Sequence, residues 1–157
     1  MTDNVFAPPK SNLDGAPGPG EQAPPLWNPN AAANWSLLLS AAFGAYLHMK
    51  NWQALGEQEK ARQSRAWMIA VVAILALSIF AGAFLGAGVG NLVGFVLLIT
   101  WYLTSARAQA AYVKERFGSR YPRRGWVLPI VVGLVVVVLG GFSIGIVAAI
   151  IQLAIAR

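Results

Sequence analysis

The chain has 157 residues, of which 57% are hydrophobic and only 11% charged, with no cysteine and a single histidine. A soluble domain carries roughly 45–50% apolar and about 25% charged residues. The proportions therefore point to a one-domain membrane protein, and they exclude a disulfide-stapled secreted fold, a thiolate metal site and a large soluble enzyme domain. The formal net charge is +6. Because the positive charge falls between apolar runs, the expected counterion is a lipid bilayer with anionic headgroups, and no nucleic acid is expected.

Residues 1–30 hold seven of the nine prolines, at positions 8, 9, 17, 19, 24, 25 and 29, together with Gly15, Gly18 and Gly20. Such a stretch buries too little apolar surface to offset its ordering entropy, so it reads as a disordered Pro/Gly-rich tail. It has no apolar stretch of the kind a signal peptide needs.

Residues 31–157 read as a helical membrane domain with apolar segments over 31–49, 66–86, 92–104 and 126–156. The first is interrupted by Asn34, Ser36, Ser40, Gly44, Tyr46 and His48. It either spans, placing the tail outside, or lies in the interface or re-enters, leaving the tail inside; a span is the expectation adopted. Residues 66–104 are 39 in number and carry no charge. One helix that long would measure about 58 Å, twice the roughly 30 Å hydrocarbon core. It must fold back, and the only Gly/Asn cluster within it, residues 87–91, is the expected turn. The second arm should continue past the core as a helix through Arg107 to Phe117. The run 126–156 has 31 uncharged residues and reads as one tilted or kinked span, with a break at Gly140-Gly141 as the alternative. The fold class expected is an all-α integral membrane bundle of three to four transmembrane helices.

Ten of the twelve basic residues lie in two loops, 50–65 and 107–124. The positive-inside rule makes both cytoplasmic. Trp52, Trp67, Trp101 and Trp126 bracket these loops and are expected as interface anchors. Around Asn34-Trp35-Ser36, 44–52, 112–117 and 121–126, the chain resembles a group of small bacterial multi-pass inner-membrane proteins with no assigned activity. The resemblance covers about residues 26–130. It implies the bacterial cytoplasmic (inner) membrane as the compartment and says nothing of function.

Gly82, Gly86, Gly90 and Gly94 recur every fourth residue, a spacing that lets membrane helices approach closely. They serve either packing within one hairpin or an oligomer interface. Gly141 and Gly145 form a second small-residue face. Arg107, Lys114, Arg116, Arg120, Arg123 and Arg124 form the densest polar feature, suited to acidic lipid or a partner's acidic patch. Their simpler role is to set topology. His48 stands without a neighbouring acid, so no metal site is expected, and it reads as an interface anchor with Tyr46 and Trp52. Glu57–Lys60 and Glu59–Arg62 read as ion pairs on a short surface helix. Asn91, Thr100 and Gln152 are the polar residues at depth. No acid lies inside an apolar run and no catalytic set is visible, so neither an ion-coupled pump nor an enzyme is expected, and no cofactor. The function expected is a non-enzymatic binding or accessory subunit for another membrane protein, an immunity-type protein being one form of it. The alternative is a small homo-oligomeric pore built on glycine-zipper packing.

Overall fold

The computed structural model describes residues 22–85 and 88–155. In chain order these form α1 (Pro29–Leu39), α2 (Ala41–Ala54), α3 (Gln58–Leu85), α4 (Gly88–Trp101), a π-helical turn (Tyr102–Ala106), α5 (Arg107–Phe117) and α6 (Val127–Ile155). The only β pairing among the described residues is a single bridge between Leu26 and Arg123. The protein is all-helical, as its composition requires. Two helices are long and apolar enough to cross a membrane: the continuous rod of α4, the π turn and α5, from Gly90 to Phe117, and α6 from Val127 to Ala154. Only 11% of the rod's apolar window and none of α6's is buried within the protein, whereas the core helix of a soluble domain would be mostly buried.

The first apolar segment does not form one span. It breaks at Ser40, whose φ of 80° and ψ of 158° lie in a region that side-chain-bearing residues rarely adopt and that costs about 1–3 kcal/mol. The chain turns back there. The His48 ring nitrogen Nε2 lies 3.3 Å from the Pro29 carbonyl at the open end, and Gly44 faces Ser36 near the corner. The result is an antiparallel helical hairpin. With 11 and 14 residues, its arms measure about 16 and 21 Å, each well short of a roughly 30 Å core.

The folded unit includes residues that the composition assigns to the tail. Asn28 caps α1, its side chain accepting from the backbone N–H groups of Asn30 and Ala31, and Pro29 occupies the first turn. Leu26 is fully buried. Residues 22–30 therefore belong to the folded unit rather than to the tail, while residues 1–21 lie outside the described residues.

The hairpin of α3 and α4 is present, but the expected turn does not occupy residues 88–91. Gly88 to Asn91 are already helical, because an apolar stretch gains by keeping its backbone groups paired inside a helix. Gly86 and residue 87 lie outside the described residues. Nor is the acidic and basic stretch near residue 60 a separate surface helix. It is the start of α3, where Lys60 lies 3.3 Å from Glu57 and Arg62 pairs with Glu59. The continuation of α4 through Arg107 to Phe117 is as expected. α6 runs unbroken through Gly140-Gly141 for 29 residues, about 44 Å.

The core forms where the α1–α2 hairpin meets α3 and α4. Trp101 is fully buried there with Ala33, Ala41, Ala45, Val71 and Ala106. Small residues on α2 let the indole seat, Gly44 above all. A Cβ at Gly44 would fall on the Trp101 ring and the Ser36 hydroxyl, closer than real Cβ atoms come. Gly133 plays the same part for α6, where a Cβ would lie 2.9 Å from Leu39 Cδ1 and 3.0 Å from Phe43 Cε2. Gly44→Ala should therefore destabilise the fold by about 1–3 kcal/mol or more through overpacking, read as a lower thermal midpoint in detergent; Gly140→Ala, which meets nothing within 4 Å, should leave the midpoint unchanged.

Candidate functional site

The basic end of the molecule is organised by a buried polar network. The Asn51 side chain accepts from the Trp27 backbone N–H at 3.0 Å and donates to the Trp27 carbonyl at 2.8 Å. It thereby treats residue 27 as a neighbouring strand would. The same amide nitrogen donates to Gln109 Oε1 at 3.1 Å, and Gln109 Nε2 donates to the His48 carbonyl at 2.9 Å. Asn51, Gln109 and His48 are all fully buried. Beside them Leu26 N–H donates to the Pro122 carbonyl, Arg124 N–H to the Leu26 carbonyl, and the Trp27 indole N–H to the Gly125 carbonyl at 2.9 Å. The N-terminal segment, α2, α5 and the connection after α5 are thus tied together at one end. Neither Asn51 nor Gln109 stands out from sequence periodicity. The one available signal is the Asn-Pro pair at 28–29, a cap followed by a first-turn proline, which announces a helix start inside the supposed tail.

Two expected interface anchors are instead core residues. Trp101 is fully buried and packs edge-on against His48 with centroids 5.2 Å apart. Trp52 is 4% exposed. Trp101 of α4 turns inward against the small residues of α2, and Trp52, on α2 itself, packs against Tyr112 of α5. His48 is likewise a core residue rather than an anchor: its Nε2–H faces the Pro29 carbonyl, and its Nδ1 has no partner among the described residues. Trp67 and Trp126 are half-buried.

Above this layer lies a cationic and aromatic cluster. Tyr112 donates to Glu57 at 2.7 Å and accepts from Arg116 at 2.8 Å. The Lys60 ammonium sits 4.3 Å from the Tyr112 ring centre and 4.9 Å from that of Trp52. The Tyr112 hydroxyl holds the Glu57 carboxyl below its ordinary value of 4.5, with help from Lys60 and Arg116 against an upward push from burial. Burial, then the bond to Glu57, pushes the Tyr112 hydroxyl up. Of the six basic residues expected to act together, Arg116 belongs to this cluster and Arg124 lies 4.7 Å over the Trp27 ring. Arg107, Lys114, Arg120 and Arg123 are exposed.

The described glycines of the row have different surroundings within the chain. A Cβ at Gly94 would lie 3.7 Å from Leu75 and one at Gly90 3.8 Å from Ser78, so both face α3 within the chain. Gly82, Gly141 and Gly145 meet nothing within 4 Å. Thr100 donates to the Val96 carbonyl of its own helix. Gly82, Gly90, Gly133 and Gly140 instead line a cleft of about 1200 Å³ between the α1–α2 hairpin, α3 and α6. Leu128 and Pro129 lie at its basic end, with Gln152 far along α6. Comparison with models of protein families, with characterised proteins and with solved structures gives no match.

Two measurements test the network and the cluster. Asn51→Ala should cost about 2–6 kcal/mol, because it leaves the Trp27 N–H and the Gln109 Oε1 without partners at a cost of about 1–3 kcal/mol each; amide exchange at Trp27 should rise with it. Because the Glu57 carboxyl is held below its unfolded value, its contribution is present above about pH 4.5 and is lost as pH falls through the folded value. The melting temperature should fall over that acid range, and Tyr112→Phe should flatten the fall.

Proposed function

We propose that the chain is a non-enzymatic multi-pass protein of the bacterial cytoplasmic membrane, acting as a binding or accessory subunit for another membrane protein. In this reading α3 crosses through its charge-free residues 66–85, α4 returns, and α6 crosses again. The α1–α2 hairpin enters from the basic end and comes back to it. Lys50, Lys60, Arg62 and Arg65 precede or open α3, and Arg107, Lys114, Arg116, Arg120, Arg123 and Arg124 follow the π turn. The positive-inside rule puts that end in the cytoplasm. The pairing of Leu26 with Arg123 supports a cytoplasmic start for the folded chain, in place of the outside tail that a first span would require. The non-enzymatic reading rests on the residues available, with one histidine and aspartates only at positions 3 and 14.

The observation that carries the binding role is the cleft. From Leu128 to Gln152 along α6 is about 36 Å at 1.5 Å per residue, the depth of a membrane. Gly82 and Gly140, where an added Cβ meets nothing within 4 Å, would let a partner helix come close, and Ser78, Asn91 and Gln152 offer groups for hydrogen bonds between helices. Lipid tails gain little from such a wall. The pore alternative has less support, because Gly90 and Gly94 spend their close approach on α3 of the same chain.

A photocrosslinker carried on a cysteine at Gly140 in native membranes tests this. The chain has no cysteine of its own, so the probe is clean. The expected product is one adduct with a different membrane protein, reduced when Val136→Trp fills the cleft. Capture of a second copy would move the assignment to a homo-oligomer, and recovery of lipid alone would overturn the subunit reading.

A further inference from the structure

A second, smaller pocket of about 350 Å³ lies between α3 and the segment from the π turn into α5, within the size range of small-molecule sites. The π turn Tyr102–Ala106 is a local widening of the rod, and such turns recur at functional sites. It brings Ser105 to a wall opposite Lys60, Gln63, Ser64 and Trp67, with Glu115 at the rim. Ser64 is 1% exposed, and its hydroxyl has no hydrogen-bond partner among the described residues. A helical serine ordinarily donates back to the carbonyl one turn earlier, and a buried hydroxyl left unpaired is costly. Nothing within the fold explains that vacancy.

The polar groups form two sets. Lys60, Gln63, Ser64 and Ser105 are donors toward one oxygen-rich anion. Glu57 occupies one face of the Lys60 ammonium at 3.3 Å, and an ammonium has three N–H groups. Glu115 forms no ion pair among the described residues and offers a carboxylate to a cation. We propose that this pocket binds the headgroup of a membrane phospholipid in which a phosphodiester is joined to a primary amine, the phosphate on Lys60, Gln63 and Ser64 and the amine on Glu115. The inference rests on the membrane placement proposed above and is independent of the cleft. In that placement the pocket lies at headgroup level. Phe95 and Ile99 on α4 and Leu103 in the π turn are exposed to the apolar surroundings of that placement. A free phosphate would leave Glu115 without a role.

Native mass spectrometry of the purified full chain, supplied with vesicles of phosphatidylethanolamine or of phosphatidylglycerol with matched chains, tests the proposal. The expected result is one retained amine phospholipid per chain, favoured about tenfold over the glycerol lipid. Gln63→Glu and Ser64→Val should each lower retention of both lipids by about tenfold, whereas Glu115→Gln should abolish the preference and leave retention of the glycerol lipid unchanged. Gln63 and Glu115 are exposed, so their variants fold even if Ser64→Val does not. Equal retention of the two lipids by the unaltered chain, or variants without effect, would overturn the proposal. Displacement by inorganic phosphate alone would overturn it as well, and would make this a site for free phosphate.

Discussion

The fold depends on one side-chain amide. Asn51 pairs with both backbone groups of Trp27 and, through Gln109, reaches α5. Each such bond contributes only about 0.5–1.5 kcal/mol net. Their importance lies in what they connect. With residue 27 fixed, Leu26 meets the connection after α5, Asn28 caps α1, and the Pro29 carbonyl lies over His48. α1 is then held against α2, and the hairpin can present Ala33, Ala41 and Ala45 to Trp101. The strained corner at Ser40 is kept by this arrangement, since both arms are anchored at their far ends.

The two ends of the bundle are held by different physics. At the basic end, hydrogen bonds and aromatic contacts with cations enforce a dense layer: Lys60 over Trp52 and Tyr112, Arg124 over Trp27. Toward the other end the helices carry exposed apolar side chains, with Leu139 at 62% and Phe142 at 70% on α6. α6 touches the hairpin closely at Gly133 and leaves an open cleft along its flank. An apolar solvent or a partner has to supply what the chain does not.

The helical class, the α3–α4 hairpin, the extension through Phe117 and the unbroken α6 were all legible in the sequence. They follow from long charge-free runs, whose length against helix geometry leaves few choices. The first segment was not legible in the same way. Its soft composition announces that something interrupts it, yet the corner falls at a serine whose unusual φ no propensity favours. Composition also hid residues 22–28, because prolines signal disorder unless specific partners hold them, and those partners lie 24 positions away at Asn51 and 98 away at Gly125. Trp101 and His48 misled for a related reason. A tryptophan or histidine beside a basic loop looks like an anchor until the α1–α2 hairpin covers the one and buries the other. The same covering places Asn51 against Gln109, 58 residues apart, a pairing that periodicity cannot reveal.

The bond from Trp27 to Gly125 joins residues 98 positions apart, which sets an order on biogenesis. At a synthesis rate of about 5–20 residues per second, the ribosome needs roughly 5–20 s to deliver the second partner after the first has emerged. Over that interval the α1–α2 hairpin exists without the strap that closes its open end, and α3 and α4 must be synthesised before the strap can form. The amino-terminal hairpin is therefore among the first parts to be made and among the last to be locked. A chain truncated before residue 122 would carry every helix of the core and still lack the clasp that joins its beginning to its loops.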